Sequence, residues 1–154
     1  MDQNELGKIK KTAQDFFEKM GFEIKVEVSS PEDLTIPVNL TMEEPQILIG
    51  ERGQTLAEMQ YLLKAILRKQ ISTQEAFYIN LDINDYKKKK MEYLKEMAEN
   101  TADEVALTKK EKLLPAMPAY ERRIIHLALA SRDNVITESI GQGTERKIVI
   151  RSHP

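Results

Sequence analysis

The middle of the chain carries Ile47-Leu48-Ile49-Gly50-Glu51-Arg52-Gly53-Gln54-Thr55-Leu56, an apolar turn that runs into Gly-x-x-Gly and then into a helical pattern. Two glycines three residues apart let the backbone turn tightly and approach a ligand without Cβ atoms in the way. A helix that begins just after Gly53 also points unpaired N–H groups at whatever lies over the loop. The stretch therefore predicts a phosphate-binding loop. A helix C-cap glycine followed by a plain turn is the more common explanation of an isolated Gly-x-x-Gly.

The sequence ahead of the loop predicts one helix and two strands. The helix should end at Gly21, and its apolar stripe is Leu6, Ile9, Ala13, Phe16, Phe17 and Met20. Alternating apolar residues predict strands at 23–28 and 34–40, and Pro37 favours the edge of the sheet or a bulge. With a short helix after Pro45, the order up to the loop is helix, strand, strand, short helix.

After the loop, the helix is expected to continue to about Gln70, and a break covers residues 71–74. Residues 77–83 alternate as a third strand. Asn84 and Asp85 are good N-cap residues for a long helix that runs to about Lys109. These elements would complete one compact domain and begin the next.

Four lysines at residues 87–90 lie in the first turns of that long helix. Solvated lysines, with Lys88 and Glu92 as an i,i+4 pair, are the more common explanation of such a run. Phosphate contact is the alternative, and both interpretations stay open on the sequence.

A small mixed unit is predicted from about residue 111. A short strand or extended lead-in precedes a helix from Pro118 to about Ser131, and two strands, 135–140 and 146–151, follow as a hairpin. The spacing predicts a buried helix side made of Tyr120, Ile124, Leu127 and Ala128.

Arg122 and His126 are four residues apart on this helix, so they stack on one face, roughly opposite Ile124. An Arg fork suits phosphate, and a His can donate to phosphate or stack on a base. Arg123 lies beside them and adds positive charge. An ordinary surface Arg with a structural His is the competing interpretation.

The net charge of −2 by itself argues against nucleic-acid binding, because phosphate neutralisation needs Lys and Arg. The distribution of charge weakens that argument. Residues 1–46 carry ten Asp/Glu against five Lys/Arg, whereas residues 47–154 carry fifteen against eighteen. The acidic residues are thus concentrated ahead of the loop.

Composition and motifs argue against several classes of function. The chain has no cysteine and two histidines, which argues against disulfides, thiol chemistry and a metal site. No apolar run is long enough for a transmembrane segment, and the acidic start does not match a secretory signal, so a cytoplasmic protein is expected. The loop lacks the Lys-Ser/Thr of nucleotide-hydrolysing proteins, and no catalytic constellation is present. Neither an enzyme nor a cofactor is predicted.

The predicted order of elements around the Gly50–Gly53 loop resembles that of a type II KH domain. The run Tyr120-Glu121-Arg122-Arg123-Ile124-Ile125-His126-Leu127-Ala128-Leu129 resembles the signature of the R-3-H domain, in which three residues separate an Arg from a His. Together with Thr137-Glu138-Ser139 and Gly141-x-Gly143, the pair resembles the bacterial Jag family, whose members are also called SpoIIIJ-associated or KhpB proteins.

The resemblance implies an α+β fold. A type II KH domain, a three-stranded sheet with helices on one face, would occupy residues 1–84. A long linking helix and a small α/β R-3-H domain would occupy residues 85–154. Family members often carry a further N-terminal domain and linker, which match no part of this sequence.

The resemblance also implies a non-enzymatic protein that binds single-stranded RNA, or alternatively single-stranded DNA. The loop of a KH domain clamps the backbone of about four nucleotides. The implied contact residues are Ile49, Gly50, Glu51, Arg52, Gly53 and Gln54 in the loop, Arg122, Arg123 and His126 in the second domain, and Lys87 and Lys88 as weaker candidates. Bases would lie over Ile47, Ile49 and Leu56.

Glu51 departs from related loops, which are often basic or neutral at this position. Its negative charge should weaken RNA affinity unless Arg52 dominates. The alternative function is a protein adaptor that forms a homodimer, pairs with a small KH protein in a heterodimer, or joins cell-envelope or sporulation machinery.

Overall fold

The computed structural model describes residues 1–71 and 75–154 and shows a mixed α+β protein. The chain divides into two compact units, Met1–Lys87 and Lys88–Pro154, which we call the N-terminal and C-terminal units. The domain boundary expected between residues 84 and 85 stays a prediction. Most of the predicted break at 71–74 lies outside the described residues. No helix in the described ranges is long and apolar enough to cross a membrane.

The described part of the N-terminal unit follows the predicted order of elements. It contains α1 (Gln3–Lys19), β1 (Lys25–Val28), β2 (Thr35–Thr41), α2 (Gln46–Ile49), a 3-10 turn (Glu51–Gly53), α3 (Gln54–Gln70) and β3 (Tyr78–Ile83). The strand order is β1-β2-β3, with β1 antiparallel and β3 parallel to β2.

Alternation along the strands builds the core of this unit. Ile36, Val38 and Leu40 of β2 pair in register with Ile79, Leu81 and Ile83 of β3. Because side chains one strand position apart point to opposite faces, these six share one face. They pack with the buried stripes of the two long helices, Ile9, Ala13 and Phe17 of α1 and Leu56, Leu63 and Leu67 of α3.

Local residues fix both ends of helix α1. Asp2 accepts a hydrogen bond from the Glu5 amide at 2.8 Å, and the Glu5 carboxylate accepts one from the Asp2 amide at 2.9 Å. This capping box starts the helix. Gly21 follows its last turn at a φ of 89°, which is the left-handed conformation that ends many helices.

The edge position expected for Pro37 is wrong, because β2 is the central strand of this sheet. β1 ends at Val28, which pairs with Val38. The Pro37 carbonyl accepts a hydrogen bond from the Ser29 amide at 3.1 Å, so the polar groups of Pro37 face the side where β1 finishes. Proline has no amide N–H to donate, and at Pro37 the missing hydrogen bond lies at the end of the β1–β2 ladder.

The N-cap role expected for Asn84 and Asp85 is also wrong. The carboxylate of Asp82 accepts hydrogen bonds from the amides of Ile83 and Lys87, at 2.8 and 3.1 Å, and so covers the start of the next helix. Asn84 instead bridges to the backbone of Met42 at both its side-chain oxygen and nitrogen, at 3.0 and 2.7 Å. The side chain of Asn84 therefore bonds to a residue 42 positions away in the chain and not to the start of the helix.

The C-terminal unit has its own antiparallel sheet and core. After α4 (Tyr86–Thr108), whose first two residues belong to the N-terminal unit, come β4 (Lys112–Leu113), α5 (Ala119–Leu129), β5 (Val135–Ile140), a 3-10 turn (Gly143–Glu145) and β6 (Lys147–Ser152). The strand order is β4-β6-β5, and the predicted hairpin of the last two strands is confirmed. The core combines residues of α4, α5 and the sheet, among them Leu94, Ala98, Ala102, Val105, Ile125, Leu129, Ile148 and Ile150.

The buried side predicted for α5 is wrong by one residue. Glu121, Ile125 and Leu129 are buried, whereas Tyr120 and Leu127 are 59% and 66% exposed. The helix has apolar residues on most of its circumference, so spacing alone does not single out one stripe. The buried residues are four apart, which turns the helix by about 100° from the expected orientation.

Candidate nucleic-acid interface

The Gly50–Gly53 loop is a left-handed bend between α2 and α3. Gly50 has a φ of 71° and a ψ of −174°, Arg52 a φ of 54°, and Gly53 a φ of 78°. The combination at Gly50 is one that essentially only glycine adopts, and non-glycine residues at positive φ carry strain. Arg52 is thus held in a costly conformation, and its side chain is exposed.

Neighbours inside the protein crowd both glycine positions. A Cβ on Gly50 would lie 2.1 Å from Thr55 Oγ1, which is an overlap. A Cβ on Gly53 would lie 3.0 Å from Tyr86 Cε1, which is a tight contact. Internal packing and positive φ therefore favour glycine at both positions, whether or not a ligand approaches the loop.

Some of the loop groups that were expected to contact RNA already form hydrogen bonds within the protein. The Gly53 amide donates to the Gly50 carbonyl at 3.4 Å, and the Gln54 amide donates to the Glu51 carbonyl. The Gln54 side chain donates to Glu58 at 3.3 Å. The exposed side chains of the loop are therefore Glu51 and Arg52, with Gln54 tied along α3.

The three apolar residues expected to lie under bases have different environments. Leu56 is 2% exposed and belongs to the core. Ile49 is partly buried and packs against the same core. Ile47 is 67% exposed, so it is the member of this set that offers an open apolar surface.

Lys87, a weaker candidate for phosphate contact in the sequence, has partners within the protein. Its ammonium group donates to Asn80 Oδ1 at 2.8 Å and to Gln60 Oε1 at 3.0 Å. Burial lowers the pKa of Lys87, and the charge of Asp82 partly opposes that shift. Lys88, in contrast, is exposed.

Arg122 and His126 lie together on α5, as their spacing predicts, and each has a partner from another segment. Arg122 Nε donates to the Met117 carbonyl at 3.2 Å. His126 Nδ1 is 2.7 Å from Thr137 Oγ1, and His126 Nε2 is 3.0 Å from Ser139 Oγ. Burial, and then the Arg122 guanidinium, hold the pKa of His126 below its ordinary value of 6.5. Both effects favour the neutral form of the ring.

The neighbouring Arg123 is exposed. Each unit therefore holds one group of expected residues: the loop lies in the N-terminal unit, and the α5 residues lie in the C-terminal unit. Lys87 instead joins a hydrogen-bonded cluster on β3 and α3.

Sequence reasoning assigned no role in the site to Tyr86, Thr137, Ser139 or the Met117 carbonyl. The two hydroxyls carried a weak signal, since Thr137 and Ser139 alternate on a strand and so share one face. Tyr86 carried none, because its contact with Gly53 joins residues 33 positions apart. Such contacts follow from tertiary packing.

Comparison with known proteins gives consistent matches. A family model for the R-3-H domain matches residues 92–152. The chain is 38% identical over 131 residues to RNA-binding protein KhpB of Clostridium symbiosum, which covers 85% of this chain and 58% of that protein. It is 36% identical over 118 residues to RNA-binding protein KhpB of Bacillus subtilis, which covers 75% of this chain and 56% of that protein.

A third relative is RNA-binding protein KhpB of Lactiplantibacillus plantarum, with 34% identity over 115 residues, 73% of this chain and 34% of that protein. The aligned region thus spans between 34% and 58% of the length of these curated relatives. All three are named as RNA-binding proteins and none as an enzyme. The matches confirm the resemblance drawn from the sequence: the chain is a homologue of the KhpB, or Jag, proteins and carries an R-3-H domain.

Proposed function

We propose that this chain is a non-enzymatic binding protein for single-stranded RNA and that its N-terminal unit is a type II KH domain. The observation that carries the proposal is the exposed Arg52 on the left-handed Gly50–Gly53 bend, directly ahead of a 17-residue helix. Support comes from the order of elements around the bend and from the names of the relatives.

In the N-terminal unit, RNA would be held by a local contact. Residues 1–87 carry ten Lys/Arg against fifteen Asp/Glu, a net charge of −5, so the unit as a whole repels phosphate. Arg52 and the positive end of α3 would attract one or two phosphates against this background. The exposed Ile47, on α2 next to the bend, would lie under a base.

In the C-terminal unit, Arg122 would supply the second contact. Its Nε is fixed on the Met117 carbonyl, and its two terminal nitrogens bind no acceptor or acid among residues 1–71 and 75–154. Two such nitrogens in one plane match two oxygens of a phosphate. Residues 88–154 carry thirteen Lys/Arg against ten Asp/Glu, a net charge of +3, and the exposed Arg123 is adjacent.

A salt titration of binding tests the proposal. The affinity of the full chain for a fluorescein-labelled oligouridine would be measured by anisotropy over a range of salt concentrations. Each phosphate contact on a single strand contributes roughly −0.7 to the slope of log affinity against log salt. Arg52→Gln and Arg122→Gln should each make the slope shallower by about 0.7.

Lys25→Gln is the matched control, because Lys25 lies on β1, outside the proposed contacts, and pairs with Glu27 at 3.2 Å. It should leave the slope unchanged. A wild-type affinity that does not respond to salt, or equal effects of all three variants, would contradict the proposal.

A protein adaptor is the second candidate, favoured by an apolar surface on α3. Tyr61 is 75% exposed and Leu62 is 47% exposed, and Ala57 lies one turn before Tyr61. Exposed apolar groups that cluster often mark a protein interface. A homodimer through this face, or pairing with a small KH protein, would be disrupted by Tyr61→Ser and Leu62→Ser. Light scattering that finds the same mass for wild type and variant, with or without the partner, would contradict it.

A further inference from the structure

Both ring nitrogens of His126 already have partners. Thr137 Oγ1 lies 2.7 Å from Nδ1, and Ser139 Oγ lies 3.0 Å from Nε2. An imidazole has two nitrogens, and each directs one hydrogen bond in the plane of the ring. His126 therefore has no nitrogen left for a phosphate unless one of these bonds breaks.

The two hydroxyls form a cradle on β5. Thr137 and Ser139 are two residues apart on the strand, so both face α5. Glu138, between them, points to the other face of the sheet, where it pairs with Arg151. Among the described residues, the charged group that acts on the ring is Arg122, one turn earlier on the same helix.

Arg122 depends on the placement of this helix. Its Nε reaches the Met117 carbonyl on the segment ahead of α5, while its terminal nitrogens have no acceptor within residues 1–71 and 75–154. The His126 ring links α5 to β5 through two hydrogen bonds. It therefore fixes the position of the helix backbone that carries the Arg122 side chain. A neutral ring also avoids a second positive charge beside the guanidinium, which would otherwise repel it.

We propose that His126 is a positioning residue of the RNA contact: held by Thr137 and Ser139, it fixes α5 on β5 so that Arg122 meets the phosphate. This inference rests on the proposed function, since it assumes that Arg122 contacts RNA. It assigns Thr137 and Ser139 to the same task. It removes His126 from the set of phosphate ligands.

Removal of the hydroxyls tests the assignment while His126 stays in place. The affinity of the full chain for the labelled oligouridine would be compared between wild type and the double variant Thr137→Val, Ser139→Ala. We expect a loss of about tenfold, as for one weakened charge-assisted hydrogen bond. If His126 were itself a phosphate ligand, freeing its nitrogens would leave affinity unchanged or raise it, and either result would overturn the proposal.

Two further variants separate positioning from general damage. Thr137→Ser keeps the hydroxyl and should retain the wild-type affinity, and His126→Gln keeps a neutral side chain that can make two hydrogen bonds and should lose less than His126→Ala. Circular dichroism establishes that each variant is folded. An equal loss in Thr137→Ser and in the double variant would overturn the proposal.

The ring itself provides a measurement on the unmodified protein. Nitrogen NMR of the His126 side chain would be recorded with and without the oligouridine. A positioning residue keeps its hydrogen bonds to Thr137 and Ser139 when RNA binds, whereas a phosphate ligand exchanges one hydroxyl partner for phosphate. A change of partner at either nitrogen would overturn the inference. If the wild type binds no RNA, the proposed function fails first and the inference fails with it, whereas binding that Arg122→Gln leaves unchanged overturns the second contact and the inference together.

Discussion

The Gly50–Gly53 loop and the Arg122–His126 helix face are built in opposite ways. In the loop, three of four residues have positive φ, and the backbone conformation itself forms the candidate site. On α5 the backbone is regular helix, and partners on other segments hold the side chains of Arg122 and His126 in place.

This difference predicts how each site fails. A strained backbone tolerates few residues, so substitutions at the loop glycines should act through conformation. A regular helix accepts most residues, so substitutions on α5 should act through the lost partner. Substitutions of the loop glycines should therefore lower stability as well as binding, whereas substitutions on the helix face should lower binding with little change in stability.

Gly50→Ala should have the largest effect on stability. The new Cβ would lie 2.1 Å from Thr55 Oγ1 in a φ, ψ region that essentially only glycine adopts. We expect the free energy of unfolding to fall by roughly 2 to 5 kcal/mol, measured by urea denaturation. Gly7→Ala is the matched control, because Gly7 lies inside α1 and nothing lies within 4 Å of an added Cβ. It should gain about 0.5 to 1 kcal/mol, and equal losses in both variants would contradict the role of the bend.

Gly53→Asp should have the next largest effect, and it falls on RNA binding. Asp and Asn have nearly the same shape and both tolerate left-handed backbone, so Gly53→Asn serves as its neutral control. Both would press on Tyr86 Cε1 to the same degree. The carboxylate should repel phosphate and weaken affinity at least about tenfold, or 1.4 kcal/mol, relative to Asn. Equal anisotropy titrations of the two variants would place the RNA elsewhere.

Arg52→Asn should separate binding from stability within the loop. Asn adopts the left-handed conformation of this position, where φ is 54°, at lower cost than Arg. We expect the free energy of unfolding to rise by up to about 1 kcal/mol, while RNA affinity falls. A variant that loses both would show that Arg52 contributes packing rather than charge.

Acidification should have the smallest effect, and it should act on stability through His126 on α5. The pKa of His126 is lowered in the folded state, so the native protein favours the neutral ring. The stabilisation is complete above the unfolded pKa of about 6.5 and is lost as the pH falls through the lower folded value. His126→Gln should remove this component of the pH dependence of the unfolding midpoint. An unchanged pH profile in that variant would contradict the assignment.

Local patterns predicted the parts of the fold that depend on neighbours in the chain. The stripe of α1 and its glycine end, the alternation in β2 and β3, and the final hairpin are all short-range signals, and the structure contains each of them. The pairing of Arg122 with His126 on one face also followed from helical spacing.

The parts that sequence reasoning missed depend on distant residues. Pro37 lies in a central strand because β1 ends beside it. Asp82 caps α4, whereas Asn84 bonds to the distant Met42. The orientation of α5 was missed because its apolar residues surround the helix, and contact with the sheet then decides which of them are buried.

The sequence by itself determined the order of the elements, the position of the bend, the R-3-H signature and the kinship with the KhpB proteins. These features follow from residue types at fixed spacing, and they depend on residues that are close together in the chain. The tertiary structure decided what the residues contact: Thr55 and Tyr86 crowd the two glycine positions, and Thr137 and Ser139 occupy both nitrogens of His126. The physical reason is that contact and hydrogen bonding act over a few ångströms in space, and folding alone brings these distant parts of the chain within that range.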